Sequence, residues 1–168
     1  MQKSWKRPKI IIPKTKSEWV WDIIGYCFYL ASIILLITNW HALPDKVPAH
    51  YNALGEVNRY GSKWELLILP CVSAFIMIFL KVLEKHPEIH NYPSRLNESN
   101  VKQFYLLSRK LINKIKNICL IIFACLLFES ISIPLGWGHI FGIWFLPISL
   151  FATGIPIILV IIEQRKIQ

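Results

Sequence analysis

The chain has 168 residues and a formal net charge of +9, with 54% hydrophobic and only 17% charged residues. Its mass is 19.6 kDa and its mean hydropathy +0.43. A soluble domain usually carries about 25% charged residues, so this composition argues against a soluble globular protein and equally against disorder, and the length suits one domain.

The basic residues flank apolar runs instead of gathering into a patch, which argues against nucleic acid as a partner. Cys27, Cys71, Cys119 and Cys125 all lie inside apolar runs and form no C-x-x-C pair. They read as buried free thiols, not as a disulfide framework or zinc site.

In chain order, a basic tail (1–19) leads into a first apolar run over 20–40. A loop over 41–63 follows, then a second run over 64–83. A polar connection over 84–114 precedes a third run over 115–133. A short turn (134–139), a fourth run over 140–162 and a tail (163–168) complete the chain. Each run approaches the ~20 apolar residues that a bilayer crossing needs. Lipid leaves no partner for unpaired backbone groups, so each run should be a helix. Thr15-Lys16-Ser17-Glu18 and Ser62-Lys63-Trp64-Glu65 have the form of capping boxes ahead of the first and second runs. The first run ends in Thr38-Asn39-Trp40-His41, with no small-residue cleavage site, and reads as a signal anchor.

Lys and Arg counts set the orientation. Six lie in the N-terminal tail (Lys3, Lys6, Arg7, Lys9, Lys14, Lys16), eight between Lys81 and Lys116, and two in the C-terminal tail. The first loop holds three and the last turn none. Sixteen against three places both termini in the cytoplasm and the 41–63 loop outside, in a multi-pass plasma-membrane protein.

Pro44 and Pro48 prevent a continuous helix in the outer loop, and Gly55 separates two strand-like stretches, 47–51 and 57–60. An ordered loop with a short hairpin is expected. Pro44, Pro48 and Gly55 read as its structural residues. His50, Asn52, Lys63 and Asp45 are its ligand-binding candidates, with Lys63 placed to pair with Asp45 or Glu56. On the inner side a helix is expected from Asn97. Val101, Phe104, Tyr105, Ile112, Ile115 and Ile118 form its apolar face, and Lys102, Arg109, Lys110, Lys114 and Lys116 cover the others. Such an amphipathic helix, continuing into the third span, should contact anionic lipid at the cytoplasmic surface.

The stretch Leu43-Pro44-Asp45-Lys46-Val47-Pro48-Ala49-His50-Tyr51-Asn52, with Gly55, Asn58 and Tyr60-Gly61-Ser62-Lys63, resembles a bacterial membrane family. It is similar to the domain of unknown function at the N-terminus of SdpI-type immunity proteins. Arg7-Pro8-Lys9 through Pro13-Lys14-Thr15, Asn91-Tyr92-Pro93 and Asn97-Glu98-Ser99-Asn100 extend the likeness over about residues 7–120. The chain departs from the pattern in two ways. Asn58 stands where the family usually has Asp, and only two spans follow the matched part. The resemblance implies a membrane protein that gives immunity to a secreted toxin or senses it.

Glu129 is the one acidic residue inside the third run, about one turn from its outer end. It is a proton-relay candidate or an interfacial carboxylate bonded to the outer loop. Asp22, near a helix start, reads as a solvated, dipole-favoured carboxylate. His41, Asp45, His50, Glu56 and His139 are outward groups capable of metal ligation, but no spacing makes them converge. His86-Pro87-Glu88-Ile89-His90 fails as a zincin motif because of Pro87 and the displaced Glu. Pro70, Pro147, Pro156, Gly142 and Gly154 are ordinary features of membrane helices. No phosphate loop, nucleophile motif or nucleotide fingerprint is present.

The expectation is an all-α integral membrane protein with four transmembrane helices. It is a non-enzymatic immunity or sensing component without cofactor or bound metal. Its partners are the bilayer, a secreted peptide or toxin, and a second copy of itself in a homo-oligomer. A small transporter using Glu129 and a metalloenzyme using the outer histidines are the alternatives.

Overall fold

The computed structural model describes residues 5–167, so Lys3 of the basic tail lies outside the described residues. Four helices are long and apolar enough to cross a membrane, and the chain is a multi-pass membrane protein. Helix α1 spans Lys16–Asn39. Strands β1 (Lys46–Tyr51) and β2 (Val57–Ser62) follow. A 3-10 turn over Lys63–Leu67 then runs directly into α2 (Ile68–Lys85). Helix α3 is a single unit over Val101–Ser132. Short 3-10 turns also lie at Pro87–Ile89, after α2, and at Gly142–Trp144, where the chain enters α4 (Phe145–Arg165).

Local chemistry starts these helices. Thr15 accepts from the Glu18 amide, while Glu18 Oε2 accepts from Thr15 N at 2.7 Å. Ser62 and Glu65 form the same reciprocal cap at the entry to the second span, where Glu65 Oε1 lies 3.2 Å from Ser62 N. Each box satisfies amides that a helix start otherwise leaves open. The third helix begins later than Asn97. That residue instead holds a turn, with its Oδ1 accepting from Ser99 N at 2.9 Å, and the helix starts at Val101.

Helix α3 is the centre of the bundle. It packs against α1, α2 and α4, whereas α1 and α2 barely touch each other. The reason is one continuous stripe. Val101, Tyr105, Arg109, Asn113, Asn117, Leu120, Ala124, Leu127 and Ile131 are buried at steps of three and four, the spacing of one helix face. Along this face the chemistry changes from aromatic to charged to aliphatic. Helix α1 answers with Glu18, Asp22, Gly25, Ser32 and Leu36 on its own buried face. Among the helices α4 packs mainly on α3, and it leaves most of its apolar surface bare.

The antiparallel hairpin β1–β2 caps the end of the bundle away from the N-terminus, with Val47 opposite Gly61 and irregularities on either side of His50. Val47 and Leu43 are buried with Leu36, Leu66, Leu127 and Ile131, so the hairpin's inner residues complete the helix core. At its base Trp40 and Trp64 meet edge-on at 5.0 Å. The cysteines are free, but Cys27 and Cys71 are exposed on the helix surfaces instead of buried, because neither faces α3.

Candidate functional site

Beside the hairpin lies a cavity of about 560 Å³ walled by β1, the start of the second span, α3 and α4. Its floor carries a polar pair, Tyr51 Oη and Ser130 Oγ, 3.0 Å apart. Burial pushes the Tyr51 phenol up to about 12, with the Glu129 charge adding and the Ser130 hydrogen bond opposing. At the rim, Arg59 Nη2 donates to Glu65 Oε2 at 2.9 Å and reaches the Ala49 carbonyl at 3.4 Å. The Glu65 carboxylate holds the Arg59 guanidinium above its ordinary value. Leu66, Leu69, Leu126 and Phe145 supply apolar walls.

The residues singled out in the loop divide by position. His50 lines the cavity, and its Nδ1 lies 2.6 Å from Asn58 Oδ1. Asn52 also lines it, but its side chain is occupied by the hairpin turn. Its Oδ1 accepts from Leu54 N at 2.9 Å and Glu56 N at 3.0 Å, and its amide donates to Glu56 Oε2 at 2.8 Å. Lys63 and Asp45 lie outside the lining. Lys63 Nζ is 3.7 Å from Asp45, whose side chain is 99% exposed, and 5.6 Å from the centre of the Trp40 ring. Pro48 is buried in β1 and lines the cavity, while Pro44 precedes the strand. Gly55 adopts φ +77°, and a Cβ there would sit 2.3 Å from the Gly142 carbonyl oxygen. The hairpin turn thus presses on the entry to α4.

Glu129 is 5% exposed. Its carboxylate accepts from Ile140 N at 3.1 Å and lies 3.4 Å from His139 Nδ1, joining the end of α3 to the chain before α4. Among the described residues no group of three or more His, Cys, Asp or Glu side chains converges as a metal site would require. His86 and Glu88 of the H-P-E-I-H stretch pair with each other at 3.1 Å. His90 is turned away, its ring bonded to Ser108 and the Leu83 carbonyl, and burial lowers its pKa.

At the other end of the bundle lies a cluster that sequence reasoning missed. Lys116, 0% exposed, donates to Asp22 at 2.9 Å and to Glu84 at 2.7 Å. Asn113 and Asn117 donate to Asp22 at 2.8 and 2.9 Å. Arg109 clasps Glu18 through two bonds of 2.8 and 2.9 Å. Lys14 bridges Asp22 and Glu84, and although burial pulls its ammonium down, these two carboxylates raise it overall. Asp22 is therefore not solvated but 3% exposed, and Arg109 and Lys116 are not lipid-facing. The physical reason is that Arg109, Asn113 and Asn117 fall on the same helical line as Tyr105 and Leu120, with Lys116 beside it. Three acids and three bases interlock there, so no net charge is buried.

Residues 27–74, from α1 through the hairpin into α2, match the model of a domain of unknown function, DUF1648. A 66-residue stretch is 38% identical to an uncharacterized protein of Archaeoglobus fulgidus, covering 34% of this chain and 36% of that protein. The chain thus aligns with about a third of the length of that curated relative. No solved structure matches the chain.

Proposed function

We propose that the protein is a non-enzymatic sensing or immunity component of a bacterial plasma membrane. In this reading both termini are cytoplasmic, and the 41–63 loop faces outward to bind an extracellular peptide or envelope ligand. The observation that carries the reading is the 560 Å³ cavity against the hairpin, a size suited to a small ligand or a few side chains of a larger one. Its walls are mainly apolar, and its polar groups include the Tyr51–Ser130 pair and the exposed His50 and Arg59. The lopsided distribution of Lys and Arg supports the orientation. The bilayer is the constant partner, with anionic lipid at the cytoplasmic surface, and the bare apolar face of α4 suits a homo-oligomer.

The test is survival. Cells producing the protein should tolerate a secreted membrane-active peptide that kills cells lacking it. His50→Ala and Arg59→Ala should remove the tolerance without lowering protein level or thermal stability in detergent. Equal killing across a panel of such peptides, with and without the protein, would discard the reading. Cysteine accessibility in intact cells tests the orientation independently: a cysteine at position 52 should react with an impermeant reagent and one at position 97 should not.

A second reading, proton-coupled transport, is favoured by the buried Glu129 and its His139 neighbour. It requires solute flux in proteoliposomes that Glu129→Gln lowers by orders of magnitude.

A further inference from the structure

Residues 5–15 have no regular secondary structure and are strapped across the ends of α2 and α3. Arg7 donates to the His90 carbonyl at 2.6 Å, and its guanidinium lies 5.3 Å from the centre of the Tyr92 ring. Arg109 reaches back to the carbonyls of Ile12 and Pro13, the latter at 2.9 Å. Between this strap and the end of α2 a cavity of about 420 Å³ remains.

Its chemistry is two-sided. Ile10, Ile12 and Pro87 make apolar walls, Ile11 stands at the open edge, and Lys9, Lys81 and Lys85 are among the lining residues. The carboxylates of the lining are already engaged. Glu84 is held by Lys116 at 2.7 Å, and Glu88 lies 3.1 Å from His86 and within the field of Lys9. Among the described residues no ion pair involves Lys9 or Lys85. Lys81 gives one bond to Tyr26 Oη at 3.1 Å and keeps its other donors. Ile11 is 97% exposed on a strap that also carries Lys9 and Lys14.

An apolar side chain held clear of the protein beside lysines is unfavourable in water but fits the boundary between headgroups and acyl chains. The cavity lies beside the start of α1 and the end of α2, the ends of two helices long and apolar enough to cross a membrane. Lysines with donors left free of close carboxylates, next to an apolar wall, complement a molecule with a phosphate at one end and a hydrocarbon chain at the other.

We propose that this cavity binds one anionic phospholipid, its phosphate between Lys9 and Lys85 and its acyl chain along Ile10–Ile12. The proposal concerns the end of the bundle opposite the hairpin and stands whatever the hairpin cavity binds.

The test uses the full chain in neutral detergent, challenged with dioleoylphosphatidylglycerol, dioleoylphosphatidylcholine or inorganic phosphate, with bound lipid counted by native mass spectrometry. One phosphatidylglycerol should be retained per chain, in preference to phosphatidylcholine. Lys9→Gln/Lys85→Gln should weaken that binding about thirtyfold, from a roughly fivefold step per lysine near a surface. Lys102→Gln, on an exposed part of α3 outside the cavity, should leave binding unchanged. Equal retention of the two lipids by the wild-type chain would overturn the proposal, whatever the folding of the variants. So would an equal loss in Lys102→Gln, which would mark diffuse charge. Displacement of the lipid by inorganic phosphate at equal concentration would reassign the cavity to free phosphate and overturn it as well.

Discussion

Asn117 of α3 lies directly over Gly25 of α1: a Cβ on residue 25 would stand 2.3 Å from Asn117 Oδ1. The absent side chain lets the two helices close until Asn117 can donate to Asp22. Gly25→Val should cost about 1–3 kcal/mol, the usual range for overpacking a closely fitted site. Thermal unfolding in detergent would show it. The cost should shrink in the background of Asn117→Ala, since the two residues share one space.

Lys116 is the hinge of the charge cluster. Lys116→Met should destabilise the fold by about 3 kcal/mol, the lower end of the range for breaking a buried pair, because Asp22 and Glu84 would lose their fully buried cation and keep only Lys14. Lys102→Met, at an exposed position on the same helix, should change stability by about 0.5 kcal/mol or less. Comparable losses from the two variants would show that the cluster contributes nothing particular.

How visible this was in the sequence depended on distance along the chain. The capping residues Thr15 and Glu18, or Ser62 and Glu65, are three apart, and their types alone announce the geometry. The four apolar runs are equally local. Asp22 and Lys116 are far apart in sequence, and each alone resembles an ordinary interfacial charge. One signal does lie in the sequence: Arg109, Asn113 and Asn117 continue the step-of-four line set by Tyr105. Polar residues on the buried line of a helix imply partners on its neighbours. At the hairpin, Asn52 looked like a ligand group because its use in a turn depends on where Leu54 and Glu56 fall.

Gly55 carries two constraints, its positive φ and the nearby Gly142 backbone. Gly55→Val should strain the turn by about 1–2 kcal/mol from backbone conformation alone and push the hairpin off α4. Limited proteolysis should then cut within residues 52–57 faster than in the wild-type chain, while helix content by circular dichroism is kept.

Tyr51 makes stability sensitive to alkali. Its phenol titrates near 12 in the fold against 10 when unfolded, so the folded state holds the proton longer. The stabilisation is whole below pH 10 and falls away as pH rises from there towards 12. Melting temperature in detergent should therefore drop more steeply between pH 9.5 and 11.5 for the wild-type chain than for Tyr51→Phe. Parallel curves would contradict this.

Val101–Ser132 contains neither proline nor glycine. At 1.5 Å per residue it is a rod about 48 Å long, with none of the usual causes of a kink. Ser130 faces the hairpin cavity near one end, and Arg109 and Lys116 anchor the charge cluster towards the other. A rod without a joint cannot absorb a push locally. One stiff element therefore links the hairpin cavity to the salt bridges at Arg109 and Lys116.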